Sequence, residues 1–220
     1  MTPAALDISL PLADFLKTGT WPLHQAAEKT GVVSDILRQQ VSMRDYVNYV
    51  QNLIEIYKTL ESETAWIKNH ASLADFFTSA LYRQSQLEHD YSQLLSLNGS
   101  TPITVIHDDT RRYCEHIRHS QRHAASAMLA HIYVRYLGDL NGGQVLHRLL
   151  QSSLGLKDDC LTFYAFPKIQ DIETFRTDFR MALNSIVLSP AESDIAHQAA
   201  LDAFQFNINL SMKCQSKSPL

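Results

Sequence analysis

The hydrophobic positions of this chain recur every three or four residues along most of its length, which is the spacing of one face of an α-helix. The longest such stripe follows Ser42 and consists of Met43, Tyr46, Val47, Val50, Leu53, Ile54, Tyr57 and Leu60. A second stripe near the carboxyl end consists of Ile172, Phe175, Phe179, Leu183 and Ile186. Since no pair of segments shows the alternation typical of strands, the pattern predicts an all-α fold.

Capping residues predict where several of these helices begin and end. Ser42 is a suitable N-cap for the long stripe, and Ser189-Pro190-Ala191-Glu192 forms a capping box for a last helix that ends near residue 211. Gly155 predicts the end of a central helix. Further helices are predicted over residues 34–40, 73–96 and 108–121, with a loop over 156–170.

The amino-terminal part of the chain combines helical spacing with two residues that disfavour helices. A short helix is predicted to open at Pro11 and to be interrupted at Gly19. Thr20 can cap a second helix, in which Pro22 is tolerated because it falls in the first turn. This second helix is predicted to stop at Gly31.

The segment from Met128 to Leu150 has helical spacing on both sides of an unusual centre, GDLNGG. Gly138, Gly142 and Gly143 lie in these six residues, although each glycine inside a helix costs about 1 kcal/mol relative to alanine. One interpretation is a turn between two helices. The other is a continuous helix in which Gly138 and Gly142 share a face that a flat ligand can approach, with Asp139 beside it. The residue pattern alone leaves the two interpretations equal.

Length and composition indicate one soluble globular domain. The chain has 220 residues, of which 45% are hydrophobic and 19% are charged. We expect an N-terminal arm over residues 1–10, a helical domain over 11–212 and a polar C-terminal tail over 213–220.

Charge and cysteine usage exclude several classes of function. The net charge of −4 gives no reason to expect a nucleic-acid partner. No apolar run approaches the roughly 18 residues of a membrane span, so no membrane anchor is expected. Cys114, Cys160 and Cys214 are too far apart to suggest a zinc site or a disulfide framework, which favours a reducing, cytoplasmic location.

His24 is the candidate metal ligand. Glu28 follows it by four residues on the same helical face, where a carboxylate can orient one imidazole nitrogen and leave the other for a metal. A plain surface contact is the more common meaning of this spacing. Arg176 and Arg180, four residues apart, and Lys17 are either solvated charges or clamps for an anion.

Three segments resemble the haem (heme) oxygenase family, in its soluble bacterial type. They are LAHIYVRYLGDLNGGQVL at 129–146, LHQAAE at 23–28 and FYAFPKI at 163–169. The order of predicted helices agrees from about Leu12 to Leu210. The resemblance implies a single-domain all-α fold in which heme is sandwiched between a proximal helix and a glycine-kinked distal helix.

The resemblance also implies roles for individual residues. His24 would bind the heme iron with Glu28 as its partner, Gly138 and Gly142 would lie over the porphyrin, and Asp139 would organise distal water. Tyr57, Tyr113, Arg135 and Asn207 match the positions of the surrounding hydrogen-bond network. Lys17, Tyr133, Arg176 and Arg180 match positions that hold the heme propionates, and Phe166 and Phe204 match apolar pocket positions.

The activity implied by the resemblance is oxidative cleavage of heme by O₂ to biliverdin, carbon monoxide and ferrous iron. Heme would be both substrate and cofactor. The electrons would come from a partner such as a reductase, a ferredoxin or a flavodoxin-like protein, and a monomer is the default expectation. Two alternatives stay open: a non-catalytic heme binder or carrier on the same fold, which would not need Asp139, and a helical bundle without a cofactor.

Overall fold

The computed structural model describes residues 9–64, 67, 71–98 and 105–216, and within these residues the regular elements are all helical. Eleven α-helices are found there: α1 (Leu12–Glu28), α2 (Gly31–Leu37), α3 (Met43–Ser62), α4 (Ala71–Ala74), α5 (Gln84–Asn98), α6 (Asp108–His123), α7 (Ala125–Ile132), α8 (Gly138–Leu154), α9 (Thr162–Ala165), α10 (Ile172–Asn184) and α11 (Pro190–Cys214). A π-helical turn (Tyr133–Leu137) joins α7 to α8, and a 3₁₀ turn (Asp158–Cys160) precedes α9. The predicted all-α, single-domain fold is confirmed.

The predicted chain ends fall largely outside the described residues. Residues 1–8 of the predicted arm and residues 217–220 of the predicted tail are not described. The tail is predicted to begin at residue 213, but α11 continues to Cys214, whose side chain is buried.

The core is organised around α7 and α11. Seven of the eight residues of α7, from Ser126 to Ile132, are buried. α11 packs along α7 and also against α1, while α3 packs against α5 and α6 on the other side of the bundle. Because α7 leads directly into the π-helical turn and α8, the core fixes where the glycine-containing segment lies.

The helix boundaries predicted at Ser42, Ser189 and Gly155 are confirmed, whereas Thr20 lies inside α1 and caps no helix. The side chain of Ser42 accepts the Asp45 backbone N–H at the start of α3, and Ser189 and Glu192 form the capping box of α11. Gly155, with φ +66°, ends α8 in the left-handed region. These signals act within a few residues, which is why the sequence alone reveals them.

The predicted interruption at Gly19 is wrong, because α1 is continuous from Leu12 to Glu28 and carries Pro22 in its interior. Proline lacks the N–H that would bond the carbonyl of Thr18, but both residues are exposed and water can satisfy that carbonyl. The packing of the opposite face of α1, including buried Phe15 and Leu16, against α11 outweighs the local cost.

The predicted helix over 73–96 is also wrong, because the chain forms α4 and α5 with irregular backbone between them. Glu61 of α3 explains the start of α5, since its carboxylate accepts the backbone N–H groups of Arg83 and Gln84. The buried Arg83 side chain then donates to the carbonyl oxygens of Ala80, Leu81 and Phe163. Both interactions join distant parts of the sequence, so helical periodicity did not reveal them.

The central segment is helical through its glycines, so the turn interpretation of GDLNGG is wrong. The irregularity lies just before the glycines, in the π-helical turn that contains Arg135. A π-helical turn inserts an extra residue into the backbone hydrogen-bond pattern and is frequent at functional sites.

Gly31 begins α2 rather than ending the previous helix, and α2 ends at Leu37 rather than at residue 40. The backbone of Gly31 has φ +59°, and a Cβ atom on Gly31 would lie 2.3 Å from the backbone C and O of Ser211 in α11. Ser211 also donates through its hydroxyl to the Thr30 carbonyl. Gly31 therefore allows α2 and α11 to touch backbone to backbone.

We expect Gly31→Ala to lower the free energy of unfolding by about 2–5 kcal/mol, because it adds a clash with rigid backbone to left-handed strain. Gly155→Ala is the matched control: its φ is also positive, but apart from its chain neighbours no atom of the part of the chain that the structure describes lies within 4 Å of the added Cβ. The control should lose only about 1–2 kcal/mol. Urea unfolding of both variants measures the difference, and equal losses would contradict the close approach of α2 and α11.

Candidate functional site

A cavity of about 540 Å³ lies between α1 and the segment formed by the π-helical turn and α8. Its predicted members are Lys17, His24, Glu28, Tyr133, Arg135, Gly138, Asp139, Gly142, Arg180, Phe204 and Asn207. Apolar side chains that the sequence analysis did not single out complete the wall, among them Trp21, Val33, Leu37, Val145 and Leu146. The cavity is thus mainly apolar, with a few polar groups at defined positions, as is typical of small-molecule sites.

Gly138 and Gly142 form a bare strip of helix on one wall of the cavity. Apart from the neighbouring backbone of the same helix, no atom of the described residues lies within 4 Å of the position that a Cβ would take at either residue. Gly143, one residue further, faces away, where its Cβ would meet the Tyr164 ring at 3.4 Å. The helix therefore leaves open space on the face that carries Gly138 and Gly142 and packs against Tyr164 at Gly143.

His24 lies on the wall that α1 provides. Its ring is stacked on Trp21, with centroids 5.4 Å apart and an interplanar angle of 11°, and meets the edge of Phe204 at 6.0 Å. Its Nδ1 is covered and has no hydrogen-bond partner among the described residues; the nearest carboxylate oxygen, Oε1 of Glu28, is 3.8 Å away. The imidazole is thus held by its faces rather than by hydrogen bonds.

A polar network lies beside the glycine strip. The Tyr57 hydroxyl donates to Oδ2 of Asp139 and accepts hydrogen bonds from Nε and Nη2 of Arg135, at 3.2 Å and 3.0 Å. Arg135 also donates through Nη1 to Oδ1 of Asn207, at 2.8 Å. Four residues from α3, the π-helical turn, α8 and α11 are therefore linked, although Tyr57 itself does not line the cavity.

The carboxyl group of Asp139 is a weaker acid than an ordinary aspartate. Burial raises the pKa of its carboxyl group to about 6, against the opposing effects of the Arg135 charge and the Tyr57 hydrogen bond. A carboxyl group with this pKa exchanges its proton near neutral pH, which is the range useful for general acid–base chemistry.

Comparison with known proteins gives a consistent result. The heme oxygenase family model matches residues 10–213. Heme oxygenase 1 of Synechocystis sp. is 32% identical over 92% of this chain and 84% of its own length, and a heme oxygenase of Takifugu rubripes is 34% identical over 95% and 76%. The crystal structure of Synechocystis heme oxygenase-1 in complex with heme superposes with a TM-score of 0.83 at 32% identity, covering 93% of this chain and 92% of that one.

The chain belongs to the heme oxygenase family. The cavity fits a heme group on the evidence of its own residues. The bare glycine strip leaves room for a flat ring, and His24 offers an imidazole on the opposite wall. Lys17 and Arg180 line the cavity and carry the charges that propionate groups would need.

Four residues that the resemblance assigned to the heme oxygenase site do not line the cavity. Tyr57 is one of them and is linked to the cavity through Asp139; the others are Tyr113, Phe166 and Arg176. Tyr113 is buried against Phe206, with ring centroids 5.2 Å apart, and its hydroxyl has no partner among the described residues. Phe166 is buried under the Arg83 guanidinium, 4.0 Å from its ring centroid. Arg176 is 4.0 Å from Glu173 on its own helix.

Sequence reasoning also missed Trp21 in the cavity wall, and Glu61 and Arg83 outside it. Trp21 precedes His24 by three residues within the predicted second helix, so helical spacing could have revealed it. Glu61 and Arg83 gave no local signal, because their partners are distant in the sequence.

Within the described residues, the helices are too short or too polar to cross a membrane. The three cysteines, Cys114, Cys160 and Cys214, are free and buried.

We expect the raised pKa of Asp139 to make stability depend on pH between about 4 and 6. The folded chain binds this proton more tightly than the unfolded chain, whose aspartate titrates near 3.9. The resulting stabilisation is fully present below pH ~4 and is lost as the pH rises to about 6. Asp139→Asn should lack this loss, as measured by urea unfolding at half-unit pH steps. Other acids, including Glu61 with its pKa raised to about 7, act equally in both chains. Parallel stability curves would contradict the raised pKa.

Proposed function

We propose that this protein cleaves heme oxidatively, with O₂ and external electrons, to biliverdin, carbon monoxide and ferrous iron. The observation that carries the proposal is the pairing of a bare glycine strip with the acidic network of Asp139 in one cavity that also contains His24. Bound heme supplies both the iron at which O₂ reacts and the carbon that is oxidised. The protein's part is to bind, orient, exclude water and move protons.

His24 is proposed as the residue that would hold the iron of bound heme. Its Nδ1 is covered and lies nearest to Glu28, so Nε2 is the nitrogen suited to the metal. Trp21 and Phe204 restrict the tilt of the imidazole ring. A neutral histidine ligand suits O₂ binding by ferrous iron.

Gly138 and Gly142 are proposed to let the distal helix approach the ring closely. A side chain at either position would occupy space that the described residues leave open. The apolar walls formed by Val33, Leu37 and Leu146 exclude water around the ring. The closely placed helix would then limit which edge of the ring is exposed to O₂.

Asp139 is proposed to hold and transfer the protons that the reaction consumes. The Tyr57 hydroxyl donates a hydrogen bond to Oδ2 of Asp139, and the oxygen of that hydroxyl accepts two hydrogen bonds from Arg135. Asp139 therefore keeps a fixed orientation in the cavity wall while its pKa of about 6 allows proton exchange. Tyr113 does not line the cavity and is proposed to support the fold behind it, through its packing on Phe206, rather than to contact heme.

The electron donor is proposed to be a separate protein, such as a reductase, a ferredoxin or a flavodoxin-like protein. The sequence shows no flavin or nicotinamide motif that would supply the electrons from within the chain. We propose a monomer that works in a reducing compartment such as the cytoplasm, which agrees with three free buried cysteines.

A single turnover tests the proposal. The purified chain is mixed with one equivalent of heme, reductant and oxygen, and the visible spectrum is followed. We expect the Soret band to decay while a biliverdin band grows. Asp139→Ala should still bind heme but form at least tenfold less biliverdin, because the proton path is removed. Normal biliverdin formation by this variant would refute the role of Asp139.

His24→Ala tests the proposed iron ligand. We expect the spectrum of heme bound to this variant to differ from that of the wild type, because His24 would no longer hold the iron. If the Soret band of the wild-type chain persists and no biliverdin forms, the heme-carrier alternative is favoured. If heme added to the wild-type chain gives no spectral change, the alternative of a helical bundle without a cofactor is favoured.

Gly142→Ala tests the glycine strip. We expect the free chain to gain about 0.5–1 kcal/mol of stability, because alanine favours helix. Heme affinity should fall about tenfold, because the added methyl group enters the ligand space. Gly143→Ala is the matched control: its methyl group meets Tyr164 at ordinary contact distance and lies outside the cavity lining. Urea unfolding and heme titration measure both effects, and equal heme affinity in the two variants would contradict the close approach.

A further inference from the structure

An ion pair at one edge of the cavity joins the first turn of α1 to α10. Arg180 donates through Nη2 to Oδ1 of Asp14, and both side chains are partly exposed, at 40% and 36%. Arg180 itself lines the cavity. The family resemblance implies that Arg180 holds a heme propionate, and in this structure its partner is a carboxylate of the protein itself.

Asp14 is held independently of Arg180. Asn184 of α10 donates through Nδ2 to Oδ2 of Asp14 at 3.0 Å. The Oδ1 atom of the same amide accepts the backbone N–H of Ala13 at 2.7 Å. Both oxygens of Asp14 are therefore engaged, and α1 and α10 are linked by three hydrogen bonds at this point.

Arg180 keeps unused donors in this arrangement. A guanidinium has five N–H groups in a fixed planar fork, and the described hydrogen bonds of Arg180 involve Nη2 alone. The remaining donors belong to a side chain that lines the cavity, and Lys17, one helical turn after Asp14, lines the same cavity. One end of the guanidinium is thus anchored while the rest can receive a second carboxylate.

We propose that Asp14 is a positioning residue that holds Arg180 ready to bind a carboxylate group of the ligand. The inference rests on the proposed function, in which the ligand is heme and the carboxylates are its propionates. Asp14 thereby makes the site selective for a porphyrin with free acid groups. Since Arg180 is ordered before binding, less side-chain freedom is lost when the ligand enters.

The contrary role would be competition, in which Asp14 must release Arg180 before a propionate can bind. The contacts of Asn184 argue against it, because they hold Asp14 without the help of Arg180. The two roles predict opposite signs. Removing the charge of Asp14 weakens binding of an acidic ligand if Asp14 positions Arg180, and strengthens it if Asp14 competes.

The experiment compares Asp14→Asn with the wild-type chain by titration with heme and with heme dimethyl ester, followed at the Soret band. We expect Asp14→Asn to weaken heme binding roughly two- to fivefold, the size typical of a partly exposed ion pair, and to leave ester binding unchanged. Arg180→Gln should weaken heme binding as well. In the Arg180→Gln background, Asp14→Asn should have no further effect, because its action passes through Arg180.

Glu173→Gln is the matched control. Glu173 is also a first-turn acid paired with an arginine, 4.0 Å from Arg176, but neither residue lines the cavity. This control should leave both affinities unchanged. A general loss of stability at Asp14 would weaken heme and its ester alike and would overturn the positioning role.

Further outcomes separate this inference from the proposed function. Tighter heme binding by Asp14→Asn would overturn the role of Asp14. So would an equal loss of heme affinity when Asp14→Asn is made in the wild-type chain and in the Arg180→Gln background. Neither result would affect the proposed heme turnover by the wild-type chain. A wild-type chain that binds neither porphyrin would overturn both.

Discussion

The buried charge of Arg135 is the constraint on which the site depends. A guanidinium inside the fold must have its donors satisfied, because a buried charge that loses its partner costs about 3–5 kcal/mol. Its hydrogen bonds reach Tyr57 of α3 and Asn207 of α11, and its charge opposes the effect of burial on the carboxyl group of Asp139. The need to satisfy one cation therefore fixes three helices around the cavity and orients the acid that we propose for proton transfer.

The central segment satisfies two demands on opposite faces. On one face of α8, Leu140, Gly143 and Leu150 are buried in the protein. On the other, Gly138 and Gly142 leave backbone exposed, although alanine would favour the helix at both positions. The π-helical turn before them contains Arg135, so the irregular backbone coincides with the buried cation. The helix is therefore less stable here than it would be with alanine at these two positions, as is common where function needs open space.

The parts of the fold that follow from nearby residues could be predicted, and the parts that follow from distant contacts could not. Ser42, Ser189 and Gly155 act on backbone groups within a few residues, so their roles were visible in the sequence. The start of α5 depends on Glu61, more than twenty residues earlier, and periodicity carries no information about it. For the site, the family resemblance proposed positions, but only the fold shows that Phe166 lies under Arg83, outside the cavity lining.

The continuity of α1 connects the fold to the chemistry. Lys17, Trp21 and His24 follow one another by four and three residues, so an unbroken helix presents them on one face. A break at Gly19 would have rotated Lys17 away from His24 and separated the candidate anion site from the candidate iron ligand. Instead, the buried face of α1 packs against α11, which also contributes Phe204 and Asn207 to the cavity. The contact that overrides proline and glycine in α1 is therefore the contact that assembles the site.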